Sequence, residues 1–124
     1  MRKIYFNGSE LNVTTIEEFG EYLNSFDGQD IFELWLYAGS DASICMLRNG
    51  RHAFLMHMQA SGDSGIVSCG EQYAEGAVKY TLSNGQVDEY PISWCIDIEQ
   101  CYKALAYFFV NDGLIPEWIV WQKT

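Results

Sequence analysis

Histidine and cysteine are the side chains best suited to general-base and nucleophilic catalysis, and this sequence has two histidines and four cysteines. His57 lies within the apolar stretch 54–58, whereas His52 follows an Asn-Gly-Arg turn sequence and is expected to be solvated. A nucleophilic thiol needs a histidine base close in space, and the pair that stays open as an alternative is Cys69 with His57. Because no motif supports that pair, we interpret His57 as a structural or surface residue. We expect no catalytic residue and a protein that is not an enzyme.

Metal and phosphate chemistry find little support in the spacing of the remaining candidates. Cys95 and Cys101 are six residues apart, and no Cys-x-x-Cys pair occurs in the sequence. The segment 62–65, Gly-Asp-Ser-Gly, lacks the Lys and the following helix of a phosphate-binding loop, so we predict a loop between strands. We therefore expect no metal and no cofactor, with reduced cysteines and Cys101 in the core.

The net charge of the chain indicates which kinds of binding partner to expect. Seventeen acidic residues face seven basic ones, which gives a formal net charge of -10. A phosphate backbone and an anionic membrane surface would both be repelled, so we expect no direct nucleic-acid or membrane binding. A basic protein partner would be attracted, although solubility alone also favours an acidic surface.

We expect no secretion signal at the beginning of the sequence. After Met1-Arg2-Lys3 the apolar residues stop at Asn7-Gly8, so no apolar run of signal-peptide length develops. No stretch reaches the length of a membrane span either. These features predict a cytoplasmic protein.

Turn and capping signals predict the elements that would position any site. Asn49-Gly50 and Asn84-Gly85 each separate two apolar runs, which is typical of β-hairpins with type I′ turns; Asn7-Gly8 is a weaker signal. Thr15 with Glu18 fits the capping box of a helix that ends at Asp27-Gly28, and Gly20 within it suggests close packing on a sheet.

A second helix is predicted to begin after Asp97 as its N-cap and to stop at Asp112-Gly113. Its apolar stripe comprises Ile98, Cys101, Tyr102, Leu105, Phe108 and Phe109. Further strands are predicted at 32–37, 65–69 and 118–121. Strands and helices do not alternate as a parallel sheet requires. We therefore predict a single α+β domain over 1–124, with an antiparallel sheet of about six to eight strands and two helices packed on one face.

The second half of the chain resembles a known family over about residues 64–121. The residues that carry the resemblance are Tyr80-Thr81-Leu82-Ser83-Asn84-Gly85-Gln86, Glu89-Tyr90-Pro91, Ile96, Ala104-Leu105, Phe108-Phe109, Gly113, Pro116-Glu117-Trp118-Ile119 and Trp121. This pattern is similar to the first family of bacterial polymorphic-toxin immunity proteins, in which a hairpin leads through a Pro to a helix and the chain finishes with Pro-x-x-Ile-x-Trp.

The resemblance implies a cytoplasmic α+β protein that binds and neutralises a cognate toxin domain, often a nucleic-acid deaminase and sometimes a nuclease. Such a toxin commonly has a basic groove, which an acidic protein would occupy. The expected toxin contacts are the acidic and aromatic residues in or near loops: Asp63, Glu71, Tyr73, Glu75, Asp88, Glu89 and Trp94. Two alternatives remain, namely a structural subunit that self-associates as a homodimer and an enzyme that uses His57 and Cys69.

Overall fold

Nine strands and two helices follow one another along residues 3–124, the part of the chain that the computed structural model describes. The strands are β1 (Lys3–Phe6), β2 (Ser9–Leu11), β3 (Ile31–Tyr37), β4 (Ser43–Asn49), β5 (His52–Met58), β6 (Ile66–Ser68), β7 (Ala77–Thr81), β8 (Val87–Pro91) and β9 (Trp121–Lys123). The helices are α1 (Ile16–Phe26) and α2 (Ile98–Val110), and a short 3-10 helix (Ile92–Trp94) follows β8.

Seven of these strands form one sheet in the order β2-β1-β3-β4-β5-β6-β9, and every neighbouring pair is antiparallel. The register sets Leu34 opposite Met46 and Met46 opposite Leu55, so one face of the sheet is continuously apolar. Both helices cover that face. The predicted α+β class, the size of the sheet and the placement of the helices are confirmed.

The helix-side core is built from large apolar side chains of both helices and the central strands. The Phe19 ring of α1 stacks on the Phe109 ring of α2 with centroids 4.9 Å apart, and Phe6 stacks on Phe26 at 4.0 Å. Cys101 lies in this core and is fully buried, as predicted. Burial of apolar surface on this scale is the main force that holds helices to a sheet.

The opposite face of the sheet is covered in part by the β7–β8 hairpin. The sequence correctly predicts this hairpin, but it forms a separate two-stranded sheet instead of joining the seven-stranded one. Val78 and Tyr80 point inward from β7 and pack with Cys45, Leu47, Phe54 and Val67 in a second core. A turn signal fixes which strands pair, whereas the layer that the hairpin joins depends on distant apolar contacts.

Helix α1 begins as predicted. Thr15 is the N-cap, its Oγ1 accepts a hydrogen bond from the Glu18 backbone N–H, and the Glu18 carboxylate accepts from the Thr15 backbone N–H. These bonds satisfy two of the N–H groups near the start of the helix that lack intrahelical partners. The expectation of close packing at Gly20 is wrong, because a Cβ built there meets no atom within 4 Å.

Helix α2 differs at its start and agrees at its end. Asp97 occupies the N-cap position, but its side chain makes no capping hydrogen bond, so the predicted capping role is not realised. At the other end, Gly113 has a φ of +102° and its N–H donates to the Phe108 carbonyl oxygen at 3.0 Å. The predicted stop at Asp112-Gly113 is therefore confirmed.

The structure differs from the sequence predictions at the Asn-Gly turns and at the last strand. Among the described residues both members have positive φ only at Asn7-Gly8, which forms the β1–β2 turn; at the other two pairs only the Gly does, so type I′ turns are absent there. The final strand lies at 121–123 instead of 118–121, and Trp118 and Val120 are exposed.

Candidate interaction surfaces

The loop between β6 and β7, residues 69–76, brings three of the predicted contact residues together. Glu71, Tyr73 and Glu75 are all exposed, and 89% of the Tyr73 surface is accessible. The Gly70 N–H donates to the Ser93 carbonyl oxygen at 2.8 Å at one end of the loop. The other end is held by the Ile92 N–H, which donates to the Gly76 carbonyl oxygen at 2.9 Å. This segment, which we call the acidic loop, presents two carboxylates and an aromatic ring to solvent from anchored ends.

Asp88 and Glu89 lie side by side on β8 but face opposite ways. Asp88 is half-buried on the inner face of the hairpin, and its carboxylate accepts from the Gln86 side-chain amide at 2.7 Å and from the Tyr90 hydroxyl at 3.2 Å. Glu89 points outward with Lys79, whose Nζ lies 4.0 Å from its carboxylate. Glu89 is therefore available to a partner, whereas Asp88 already supports the hairpin.

Trp94 lies in the short 3-10 helix and packs into the second core. Its ring centroid is 5.5 Å from those of Phe54 and Tyr90, and its side chain is half-buried. The structure thus gives Trp94 a packing role beneath the acidic loop, since its backbone neighbour Ser93 holds Gly70.

Asp63 lies apart from the acidic loop, at the rim of a cavity of about 760 Å³. The cavity opens at the end of the sheet, where the loop after β5, the segment after α2 and the C-terminus meet. Polar side chains that line it are Ser40, His57, Gln59, Asp63, Ser64, Asp112, Lys123 and Thr124. The predicted contact residues therefore lie in two regions of the surface.

His57 forms part of the cavity wall and is only 4% exposed. Its Nε2 lies 3.1 Å from the Gly113 carbonyl oxygen, and because a carbonyl only accepts, Nε2 carries the hydrogen. Burial lowers the pKa of His57 below its ordinary value of 6.5, and the Gly113 bond and the Asp63 charge oppose that shift only in part. His57 is thus a neutral residue of the core at pH 7.

The lowered pKa of His57 predicts a pH-dependent stability. The unfolded chain protonates this histidine at about pH 6.5 and the folded chain only at lower pH, so stability is complete above pH 6.5 and falls as the pH drops through that value. We expect the free energy of unfolding to decrease between pH 7 and pH 5, measured by urea unfolding. His57→Gln retains an N–H donor without titrating and should lose less; equal losses in both proteins would contradict the assignment.

The four cysteines are all free. Burial raises the pKa of the Cys45, Cys95 and Cys101 thiols, which keeps them protonated near neutral pH and therefore poor nucleophiles. Within residues 3–124 no hydrogen bond joins Cys69 to His57, whose Nε2 hydrogen is already engaged by Gly113.

A second concave surface was not among the predicted sites. It is a groove of about 560 Å³ on the sheet face opposite the helices, at the turn end of the β7–β8 hairpin. Tyr5, Glu33, Trp35 and Tyr37 form its aromatic and acidic lining, and we call it the aromatic groove. The signal was present in the sequence, since alternation along β3 sets Glu33, Trp35 and Tyr37 on one face. What the alternation did not reveal is that the hairpin leaves this part of the face open.

Several comparisons define what the chain does not match. Residues 3–124 contain no group of three or more His, Cys, Asp or Glu side chains arranged to hold a metal ion. Neither described helix has the length and apolar character needed to cross a membrane. No model of a known protein family matches the sequence, and no curated protein matches it either. The resemblance to immunity proteins thus rests on the residues of the sequence.

Proposed function

We propose that this chain is an immunity protein that binds a cognate bacterial toxin domain in the cytoplasm of the producing cell and neutralises it as a stoichiometric complex. The sequence resemblance over residues 64–121 supports the proposal. The chemistry of the described residues also favours binding, because the buried Cys45 and Cys101 thiols and the engaged His57 are poorly suited to nucleophilic catalysis.

The observation that carries the proposal is the surplus of unpaired acidic side chains. Of the seventeen acidic residues, two make a salt bridge within residues 3–124, namely Asp27 with Arg48 and Glu89 with Lys79. The remaining carboxylates have no cationic partner in the described chain. A surface of this kind attracts a basic protein, and the exposed Tyr73 between Glu71 and Glu75 adds the type of ring that anchors interfaces.

The proposed partner is a nucleic-acid deaminase or nuclease domain. An enzyme that binds a phosphate backbone needs a basic groove. An acidic protein can occupy such a groove because it carries the same sign of charge as the substrate. A complex of this kind is expected to bury about 1,600 Å² of surface in total.

Co-purification tests the proposal. The chain is expressed with the product of the adjacent gene, which alone carries an affinity tag. We expect an equimolar complex that survives washing at moderate salt. If the neighbour carries a toxin-like C-terminal domain and retains none of this chain at micromolar concentration, the proposal fails.

Charge reversal on the acidic loop is expected to slow association. Glu71→Lys combined with Glu75→Lys should lower the association rate constant about tenfold at low salt, because electrostatic steering weakens. The difference should shrink as salt is added. Stopped-flow or surface-based kinetics measure this effect.

A matched control is Glu17→Lys with Glu21→Lys on α1, which changes the net charge equally on the helix side of the sheet. The loop variant should be clearly slower than this control. Equal slowing would show that only the net charge matters and that the acidic loop is not the contact surface.

Self-association is a second candidate, favoured by exposed apolar side chains near the C-terminus. Val110, Leu114, Trp118 and Val120 are each more than half exposed. The Trp118 ring also meets Tyr107 at 5.4 Å, edge to face. Light scattering on the isolated chain distinguishes a homodimer built on this patch from a monomer that awaits its toxin.

A further inference from the structure

The aromatic groove is open because the second layer covers only part of the sheet. The β7–β8 hairpin packs over Cys45, Leu47, Phe54 and Val67, toward the middle and the β6 side of the sheet. The neighbouring strip formed by β1 and β3 is covered only in part, since Trp35 packs against the edge of the second core. Tyr37 is 40% exposed and Trp35 is half-buried. The groove therefore combines one exposed ring with two half-buried ones, and exposed aromatic surface of this kind is typical of binding surfaces.

The rings of the groove have a defined mutual arrangement. Trp35 and Tyr37 lie nearly parallel, with centroids 5.9 Å apart and 16° between their planes. Tyr5, on the adjacent strand β1, stands perpendicular to Tyr37 at 5.7 Å. The spacing of Trp35 and Tyr37 is too small for a flat group to enter between them, so such a group would stack on the ring surface that faces the groove.

Glu33 fixes a carboxylate beside these rings. One of its oxygens accepts from the Trp35 indole N–H at 3.1 Å, and the other accepts from the Ser83 backbone N–H at 3.0 Å. These bonds hold the carboxylate in place, yet each oxygen has a second lone pair for a further donor. No cation of the described chain lies within salt-bridge distance of Glu33. The two ion pairs among residues 3–124 join Arg48 to Asp27 and Lys79 to Glu89.

We propose that the aromatic groove receives an arginine side chain of the partner protein, with the guanidinium stacked on Trp35 and Tyr37 and hydrogen-bonded to Glu33. A guanidinium is planar, permanently charged and weakly hydrated, so it stacks on aromatic rings and binds carboxylates better than an ammonium does. The net charge of -10 favours a cationic occupant over an anionic one. Lys3 also lines the groove and acts against this occupant.

This inference rests on the proposed function, because it names the anchor through which a basic toxin would be held. The groove lies at the turn end of the β7–β8 hairpin, where Ser83 contacts Glu33. The acidic loop lies at the other end, where Gly76 is joined to Ile92. One partner lying along the hairpin would touch both, with the arginine as the central contact and the acidic loop as the charged rim.

A direct test uses a blocked Gly-Arg-Gly peptide as the probe. Titrated at millimolar concentrations, it should shift the NMR signals of the Trp35 indole and of the Tyr5 and Tyr37 rings. A blocked Gly-citrulline-Gly peptide has nearly the same shape but no charge, and it should leave these signals unchanged. Equal shifts with the two peptides would overturn the assignment, and so would shifts by the arginine peptide that lie elsewhere. A blocked sugar that shifts the same rings while arginine does not would point to a carbohydrate site instead.

Variants connect the groove to the toxin. Tyr37→Ala and Glu33→Gln should each weaken toxin binding about tenfold, the effect expected of an anchor in an interface. Ile16→Ala, an exposed apolar residue of α1 on the helix side of the sheet, should leave the affinity unchanged. Lys3→Ala should strengthen binding, because it removes the cation that opposes the guanidinium in the groove.

The two proposals fail in different ways. If the unaltered chain does not bind the toxin, the proposed function fails, and the peptide titration alone decides whether the groove takes arginine. If the toxin binds and Tyr37→Ala and Glu33→Gln bind equally well, the groove assignment fails while the proposed function stands. Retained thermal unfolding midpoints show that each variant is folded.

Discussion

Gly70→Ala is expected to lower the free energy of unfolding by about 3 kcal/mol or more. A Cβ built on Gly70 would overlap the backbone carbonyl oxygen of Cys95 and lie 3.1 Å from the Cys95 carbonyl carbon. Backbone atoms cannot swing aside as a flexible side chain can, so the loop and the segment after the 3-10 helix must separate. Equilibrium urea unfolding measures the loss.

Gly20→Ala supplies the matched control with the opposite sign. Gly20 lies inside α1, and a Cβ there meets no atom within 4 Å. Because Ala favours the helix over Gly, this variant should gain about 0.5–1 kcal/mol. If Gly70→Ala were as stable as the unaltered protein, the close approach between residues 70 and 95 would be contradicted. Gly70→Ala should also loosen the acidic loop and so weaken toxin binding.

Phe54→Ala is expected to cost about 3–4 kcal/mol. Phe54 is 1% exposed, and its ring contacts Tyr80 at 5.2 Å, Tyr90 at 5.1 Å and Trp94 at 5.5 Å. Truncation would leave a cavity between the sheet and the β7–β8 hairpin. The loss is again measured by urea unfolding, with Phe54→Leu, at about 1 kcal/mol, as the control of similar volume.

Hydrogen exchange locates the damage caused by Phe54→Ala. The amides of β7 and β8 should lose protection well before those of β3 and β4, because the hairpin is a separate sheet held by the second core. Uniform loss across both sheets would indicate that the hairpin and the main sheet unfold as one unit.

Local signals explain why much of the fold is predictable from the sequence. The capping box of Thr15 and Glu18, the apolar stripes of both helices and the glycine stop at Gly113 act within a few residues, so their pattern is legible in the chain. Alternation along β3 likewise assigns Phe32, Leu34 and Leu36 to the helix side.

Long-range packing explains what the sequence does not reveal. The β7–β8 hairpin leaves the main sheet because Val78 and Tyr80 bury against Phe54 and Leu47, residues far away in the chain. The last strand starts only at Trp121, where pairing with Ser68 becomes possible. Neither contact produces a periodic pattern of residues in the sequence.

The candidate contact residues were likewise predictable from the sequence only in part. Exposure of Glu71, Tyr73 and Glu75 follows from their place in a polar loop between two strands, and the structure confirms that they are exposed. Trp94 looked like an anchor because aromatic residues serve both cores and interfaces, and only tertiary contacts with Phe54 and Tyr90 show its packing role. The aromatic groove was missed because its opening depends on where the hairpin stops.

The most direct test of the central claim is titration of the toxin's catalytic activity with this chain. The toxin domain encoded beside it is purified, and its deaminase or nuclease activity is measured as increasing amounts of the chain are added. We predict a linear fall in activity that reaches zero at an equimolar ratio, as tight stoichiometric inhibition requires. Activity that stays unchanged in the presence of excess folded chain would contradict the account.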